Sequence, residues 1–303
     1  MVGLGSAGRR HLRNLRALGC DNLHLLRTHR STLPDDDLTG MPTHTDLVAA
    51  LAQGPAGVVI ATPSSLHLEA AIPAANAGCH LFIEKPISHT LEGIDSLRQA
   101  VASGGAGVLT GFQFRHHPGL RRIQSFLAKG LVAPPIQAQV HWGEYLPNWH
   151  PWEDYRQSYA ARADLGGGVV LTLCHPFDYL RWLLGEVVEV SAVTANSGQL
   201  GIEVEDTADI SLRFASGSVA QVHLDYLEQP GSHRLSVSGS SGVLEWQPDR
   251  SDRDTIFLEE MRHFLACVAG REQPVCTLDD GIAALRIALA VRQSAAEGRA
   301  IAL

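Results

Sequence analysis

Met1-Val2-Gly3-Leu4-Gly5-Ser6-Ala7-Gly8-Arg9-Arg10-His11-Leu12 decides the fold, because its glycines are spaced as GxGxxG and a helical pattern follows at once. A dinucleotide pyrophosphate needs a tight turn, a backbone with no side chain in the way, and unsatisfied N–H groups at a helix N-terminus. Gly3, Gly5 and Gly8, with Ser6 and Ala7 between them, meet those needs. An ordinary strand-to-helix turn is the competing reading, and the pattern downstream argues against it. Only Met1 and Val2 precede Gly3, so the strand entering the turn is expected to be truncated.

Outward from the turn, Leu12, Leu15 and Leu18 share one helix face, with Gly19 as the cap. Short apolar runs then alternate with helical patterns. Strands are expected at Leu23–Leu26, Val58–Ile60, Leu81–Ile83 and Val108–Leu109. Helices are expected at Leu47–Leu51, in the alanine-rich stretch before Gly78, and at Leu91–Val101. Such alternation builds a doubly wound parallel sheet with helices on both faces.

After Gly111 the rhythm changes. A helix over Leu120–Leu127 is followed by strands of period-two alternation at Ile136–Val140, Val187–Val193, Ala208–Phe214, Val219–Tyr226 and Leu235–Val237. No helix separates the last of these, so they should pair antiparallel. Two helices close the chain, Leu258–Val268 and Leu278–Ala296, the second opened by Thr277 and Asp280 at capping-box spacing. The expectation is an α/β dinucleotide-binding Rossmann domain over residues 1–114. An α+β domain with an open, mainly antiparallel sheet follows over 115–303, carrying substrate and subunit contacts.

Composition narrows the function. A net charge of −8 with interspersed signs lacks the basic footprint that nucleic acid requires. No apolar run is long enough to span a bilayer, and no secretion signal is present. Five cysteines (Cys20, Cys79, Cys174, Cys267, Cys276) show no CxxC spacing, which fits free thiols in a reducing cytoplasm. Neither Asp35-Asp36-Asp37 nor His116, His117, His141 and His150 has metal-ligand spacing, so no metal site is expected.

Three further segments carry chemistry. About twenty residues past the glycines, where an acid would take the ribose hydroxyl of NAD, the chain has Arg27-Thr28-His29-Arg30. This basic, hydroxyl-bearing end accepts a 2′-phosphate and favours NADP, unless these are only surface charges at a loop entrance. Glu84-Lys85-Pro86 ends the Leu81–Ile83 strand, outside which ligands of open α/β sheets lie. Gly166-Gly167-Gly168 lets the backbone pass close to a ligand or another segment. Thr172, His175 and Asp178 follow at helical spacing, able to share one face.

With these residues in this order, and Ala61-Thr62-Pro63 after a buried strand, the chain resembles the glucose-fructose oxidoreductase / inositol dehydrogenase / rhizopine catabolism (Gfo/Idh/MocA) family over nearly its whole length. The stretch Gly143–Arg156, with Trp149, His150, Trp152 and Tyr155, looks like a sugar-processing branch of it. The resemblance implies a Rossmann domain followed by an open sheet whose face mediates dimers or tetramers. It also implies Lys85 and His175 at the nicotinamide and a cis Lys85–Pro86 bond. The cofactor set so implied is Gly3, Gly5, Ser6, Ala7, Gly8, Arg27, Thr28, Thr62, Pro63, His67, Glu84 and Lys85. One departure stands out: many members carry an aspartate where this chain has Thr172, and threonine cannot accept a proton at neutral pH.

The chemistry expected is hydride transfer between NAD(P) and a secondary alcohol of a sugar, sugar acid or cyclitol. Histidine titrates near neutrality and lysine is brought there by burial. His175 is therefore expected as acid/base, Lys85 as the group orienting the substrate oxygen, and Thr172 as an accessory donor. Arg115, Tyr155, Arg162 and Asp178 are expected at the substrate, with Trp149, Trp152 and Tyr159 as aromatic faces. For Arg115 a structural salt bridge is the equal alternative. Two other functions stay open at this point: a cofactor-binding regulator without turnover, and a net non-redox sugar enzyme with retained cofactor.

Overall fold

The computed structural model describes residues 1–27, 33, 38–249 and 252–303; Thr28, His29, Arg30 and Asp35–Asp37 lie outside them. Contacts divide the chain into two compact units, one of Met1–Gln113 with Arg253–Ile282, the other of Phe114–Asp252 with Ala283–Leu303. Residues 253–282 thus pack within the first unit, whereas the sequence pattern grouped them with the strands before them.

In the first unit, α1 (Ser6–Ala17) buries Leu12 and Leu15 and ends before Gly19, whose φ is +81°. β1 (Leu25–Leu26) pairs in parallel with β2 (Thr43–His44), and α2 (Leu47–Leu51) follows with its N-cap carboxylate Asp46 accepting from the Ala49 N–H. β3 (Gly57–Ile60), β4 (His80–Glu84) and β5 (Val108–Gly111) form a parallel trio in which Val59, Phe82 and Leu109 stand side by side. α3 (His67–Asn76) and α4 (Ile94–Gly104) connect them.

Val2 makes parallel bridges to both Leu26 and Ile60. Its N–H donates to the Val59 carbonyl and its own carbonyl accepts from the Ala61 N–H, each at 2.8 Å. Two residues before the turn therefore join β1 to β3, giving the strand order of a dinucleotide-binding sheet. The strands are apolar on both faces because helices cover both. Part of that cover comes from the distant segment: Gly57 faces Phe264 and Val268, and the Phe82 and Phe264 rings lie 5.8 Å apart.

The second unit holds α5 (Pro118–Ala128), β6 (Gln137–Gly143), the short α6 (Val169–Thr172), α7 (His175–Leu184), β7 (Val187–Ala195), β8 (Thr207–Phe214), β9 (Val219–Asp225), β10 (Ser232–Gly239) and β11 (Gly242–Trp246). α8 (Asp252–Val268) and α9 (Leu278–Glu297) follow, then β12 (Ile301–Ala302). The seven strands run in the order β11-β10-β6-β9-β8-β7-β12. Alternate residues of β6, β8, β9 and β10 are buried and the others face outward. The sheet thus has one covered and one open face. Its pairs are antiparallel except β6 with β9, which is parallel. Hairpin reasoning misses that pair because β6 precedes the helices and inserts between β9 and β10. Among the described residues no helix is long and apolar enough to cross a membrane. The capping box is present: the Thr277 N–H donates to Asp280 Oδ2 at 2.8 Å, and the Asp280 N–H to Thr277 Oγ1 at 3.3 Å.

Candidate active-site residues

The three glycines of the first turn differ in why they are glycine. Gly3 has φ +86°, and a Cβ there would lie 2.6 Å from the Ala61 carbonyl and the Thr62 nitrogen. At Gly8 a Cβ would overlap the Gly3 carbonyl oxygen, so its absence lets α1 seat on the turn. Gly5 is neither: its φ of −72° and ψ of −167° suit any residue, and among the described residues nothing lies within 4 Å of where its Cβ would be. It caps α1 without a side-chain hydrogen bond, and the first turn holds no acid. Among the described residues, no side chain caps the positive end of the helix dipole.

Around this turn the unit gathers polar groups. His67 Nε2 lies 2.9 Å from the Thr62 carbonyl oxygen. Burial keeps the His67 ring neutral by pushing its pKa down, against the opposing pull of the Thr62 carbonyl and the Glu84 charge. The Thr62 and Ser65 hydroxyls are buried with no hydrogen-bond partner among the described residues. An open cradle at Gly5, a bare helix end and orphaned hydroxyls make a site that fits a dinucleotide. Ser6 and Ala7 form the first turn of α1, and Pro63 follows Thr62 as the N-cap of the next helical turn. Arg27 is buried at the end of β1, its N–H donating to the His44 carbonyl at 2.9 Å.

Glu84 and Lys85 stand at the carboxyl end of β4, and the Lys85–Pro86 bond is cis. Glu84 is buried, with Oε1 2.6 Å from His11 Nε2 and Oε2 accepting the Lys85 N–H at 3.1 Å. Burial alone would raise the Glu84 pKa; the His11 bond and the charges of His11 and Lys85 outweigh it and hold the carboxyl below its ordinary range. Both oxygens of Glu84 are thereby engaged with α1 and with the backbone beneath Lys85. His11 escaped the sequence reading. Its only signal was a buried-face position three residues past Gly8.

In the second unit Gly166, Gly167 and Gly168 pass against other chain. A Cβ on Gly167 would meet the carbonyl oxygens of Tyr159 and Ala160, and one on Gly168 would meet Glu205 and Arg292. Thr172 ends α6 and His175 begins α7, so Thr172, His175 and Asp178 do not ride one helix face as their spacing predicts. Leu173 and Cys174 intervene, and Cys174 serves as the N-cap of α7. All three residues are buried nonetheless. The Thr172 hydroxyl lies near that of Tyr226, which donates to the Ala160 carbonyl at 3.4 Å. The His175 ring packs edge-on against Phe114, centroids 5.0 Å apart, and against Trp142 at 5.5 Å. His233 stacks on Trp142 at 4.3 Å, and burial drives its pKa down to about 3.

The expected substrate residues divide. Arg115 and Asp178 form a buried bidentate pair, with Nη2 to Oδ1 at 2.7 Å and Nε to Oδ2 at 3.0 Å. Tyr155 donates its hydroxyl to the Leu200 carbonyl at 2.9 Å. Arg162 is exposed and holds Asp164 at 2.6 Å. Trp152 is exposed, while the Trp149 ring packs on Tyr226.

Residues 1–112 match the family described as "Oxidoreductase family, NAD-binding Rossmann fold", and residues 120–245 match the GFO/IDH/MocA C-terminal domain. A 1,5-anhydro-D-fructose reductase of Ensifer adhaerens is 30% identical over 268 residues, covering 80% of this chain and 78% of that protein. A myo-inositol 2-dehydrogenase of Thermotoga maritima is 26% identical, covering 100% of this chain and 97% of that one. Among solved structures, the WlbA dehydrogenase from Bordetella pertussis in complex with NADH and UDP-GlcNAcA superposes with a TM-score of 0.85 at 24% identity, over 100% of this chain and 97% of that one.

Proposed function

Because the chain belongs to the Gfo/Idh/MocA family of NAD-binding oxidoreductases, we propose that it interconverts a secondary alcohol and a carbonyl on a sugar, sugar acid or cyclitol. The observation that supports this most is Gly5: neither its backbone nor its neighbours require glycine, and a phosphate against the bare end of α1 does. Gly3, Gly5, Ser6, Ala7 and Gly8 hold the pyrophosphate in this reading, with Thr62, Pro63 and His67 beside it. NAD(P), when bound, supplies the hydride acceptor or donor. The 2′-phosphate form is the one proposed, on the Arg27-Thr28-His29-Arg30 sequence.

In the proposed mechanism Lys85 Nζ orients the reacting oxygen and a ring nitrogen of His175 takes or returns its proton. The aromatic wall of Phe114 and Trp142 fixes that ring and excludes water from it. Thr172 Oγ1 cannot take up a proton at neutral pH, so it serves as a donor and leaves the base role to His175. Glu84 acts through Lys85, holding its backbone. Arg115 and Asp178 neutralise each other and brace α7, on which His175 sits. Tyr155 and Arg162 reach a substrate only by exchanging their bonds to Leu200 and Asp164.

The open sheet face is proposed as the contact between copies of the chain. Val193, Val219 and Val243 are exposed large apolar residues on its strands, and Val193 lines a cavity of about 1020 Å³ together with Gln139, Ser211 and Gln221 among others. The five free cysteines make the cytoplasm the proposed compartment.

The test is nicotinamide absorbance during turnover with 1,5-anhydro-D-fructose, myo-inositol and UDP-linked amino-sugar acids, beside melting curves with NAD⁺ and NADP⁺. Lys85→Ala and His175→Ala should keep cofactor-induced stabilisation and lose turnover by roughly 10²-fold or more. Full turnover in His175→Ala removes it from its role. Tight cofactor binding with no turnover on any of these compounds would favour a regulator.

A further inference from the structure

The parallel pairing of β6 with β9 has a chemical consequence on the open face of the sheet. In that register His141 lies beside His223, and Gly143 beside Asp225. The two imidazoles stack at 4.9 Å with an 18° tilt. Glu228, three residues past Asp225, folds back over the same spot, and its Oε2 lies 2.6 Å from His141 Nε2. His223 Nε2 is 3.2 Å from Asp225 Oδ2. The donor atoms of His141, Asp225 and Glu228 all fall within 4.8 Å of one another.

We propose that His141 Nε2, His223 Nε2, Asp225 Oδ2 and Glu228 Oε2 form a binding site for a divalent transition cation, with Zn²⁺ the best fit. A tetrahedral Zn²⁺ with N and O ligands at about 2.0–2.1 Å spaces its donors roughly 3.3 Å apart, within the separations among His141, Asp225 and Glu228, while His223 joins the set through its 3.2 Å approach to Asp225 Oδ2. Two imidazoles and two carboxylates balance the charge of the ion.

Two features separate this cluster from a chance meeting of ion pairs. The first is that three of the donors have their other polar atom held by an outer partner, which aims the free atom inward. Asp225 Oδ1 accepts the Leu227 and Glu228 N–H groups, both at 2.7 Å. Glu228 Oε1 accepts the Ser232 hydroxyl at 2.7 Å, and His223 Nδ1 lies 2.7 Å from Asp209 Oδ1. A carboxylate on Nδ1 sets the tautomer that leaves Nε2 free to ligate. The second is Gly143: a Cβ there would overlap both Glu228 Oε2 and Asp225 Oδ2, so the cradle into which these oxygens converge exists only with glycine at this position.

Binding replaces the hydrogen bond between His141 and Glu228 with bonds from both to the ion. The ion then ties β6, β9 and the turn after β9 together. The inference does not depend on the catalytic reading.

The experiment is calorimetric titration of Zn²⁺ into the full-length protein after chelator treatment, with melting curves in parallel. One site per chain with a dissociation constant of about 10 μM or tighter is expected, together with a higher melting temperature. The double variant His141→Ala/His223→Ala, whose side chains are partly exposed, should fold and lose at least tenfold in affinity. Gly143→Ala, which removes no ligand, should lose a similar factor. No saturable one-to-one binding in the wild type overturns the proposal. So does unchanged affinity in the double variant, since it assigns the ion to other residues.

Discussion

The two glycine-rich segments, Gly3–Gly8 and Gly166–Gly168, look alike in sequence and do different things. In the second, Gly167 and Gly168 lack side chains because other parts of the chain occupy that space: the backbone of Tyr159 and Ala160, and the Glu205–Arg292 ion pair. Arg292 Nε holds Glu205 Oε1 at 3.1 Å, so the segment is a packing joint that delivers Thr172 and His175 into the second unit's core. In the first segment Gly3 and Gly8 play the same packing role, but a Cβ at Gly5 would meet none of the described residues. Glycine spacing alone cannot tell a joint from a cradle. What a Cβ would touch can.

This contrast can be broken or sharpened by substitution. The largest effect is expected from Gly8→Ala, whose Cβ meets the Gly3 carbonyl: a stability loss of about 3 kcal/mol by thermal or urea unfolding, with cofactor binding lost too. Gly168→Ala should cost about 2 kcal/mol, from its φ of +101° and the displaced Glu205–Arg292 pair. Its cofactor affinity should not change, and a large fall would mean that the second segment also serves the dinucleotide.

A milder effect concerns pH. His233 has an ordinary pKa of 6.5 and a buried one of about 3, so the folded state disfavours its protonation. The stability this contributes is complete above pH 6.5 and is lost progressively as pH falls towards 3. His233→Phe should flatten the fall in melting temperature between pH about 7.5 and about 5; an unchanged slope would locate the acid sensitivity elsewhere. Smallest of all, Arg162→Ala removes an exposed pair and should leave the melting temperature where it is. A drop in turnover with an unchanged melting temperature would make Arg162 a substrate contact.

Much of the fold was legible because its signals are local. The GxGxxG, the apolar runs of β3, β4 and β5, and the Thr277–Asp280 box each announce themselves within a few residues. What was not legible depends on residues far apart in sequence. The break between α6 and α7 has one sequence signal, Pro176 in the first turn of α7, and helical spacing alone reads past it. β6 enters the sheet beside a strand about eighty residues later, and that pairing brings His141 to Asp225 and Glu228. His141 thus looked isolated in sequence. Glu84 was readable as part of a motif, but its partner His11 was not, since only the packing of α1 on β4 joins them.

The most direct measurement is a fluorescence titration of NADH and NADPH into the wild type and Gly5→Val, with melting curves of both proteins. The Gly5 backbone suits any residue and among the described residues nothing lies within 4 Å of a Cβ there, so the two proteins should melt within a few degrees of each other. The wild type should bind with micromolar affinity and Gly5→Val at least tenfold more weakly, about 1.4 kcal/mol. Equal affinity at equal stability would contradict the account, because the open space at Gly5 would then not be where the dinucleotide lies.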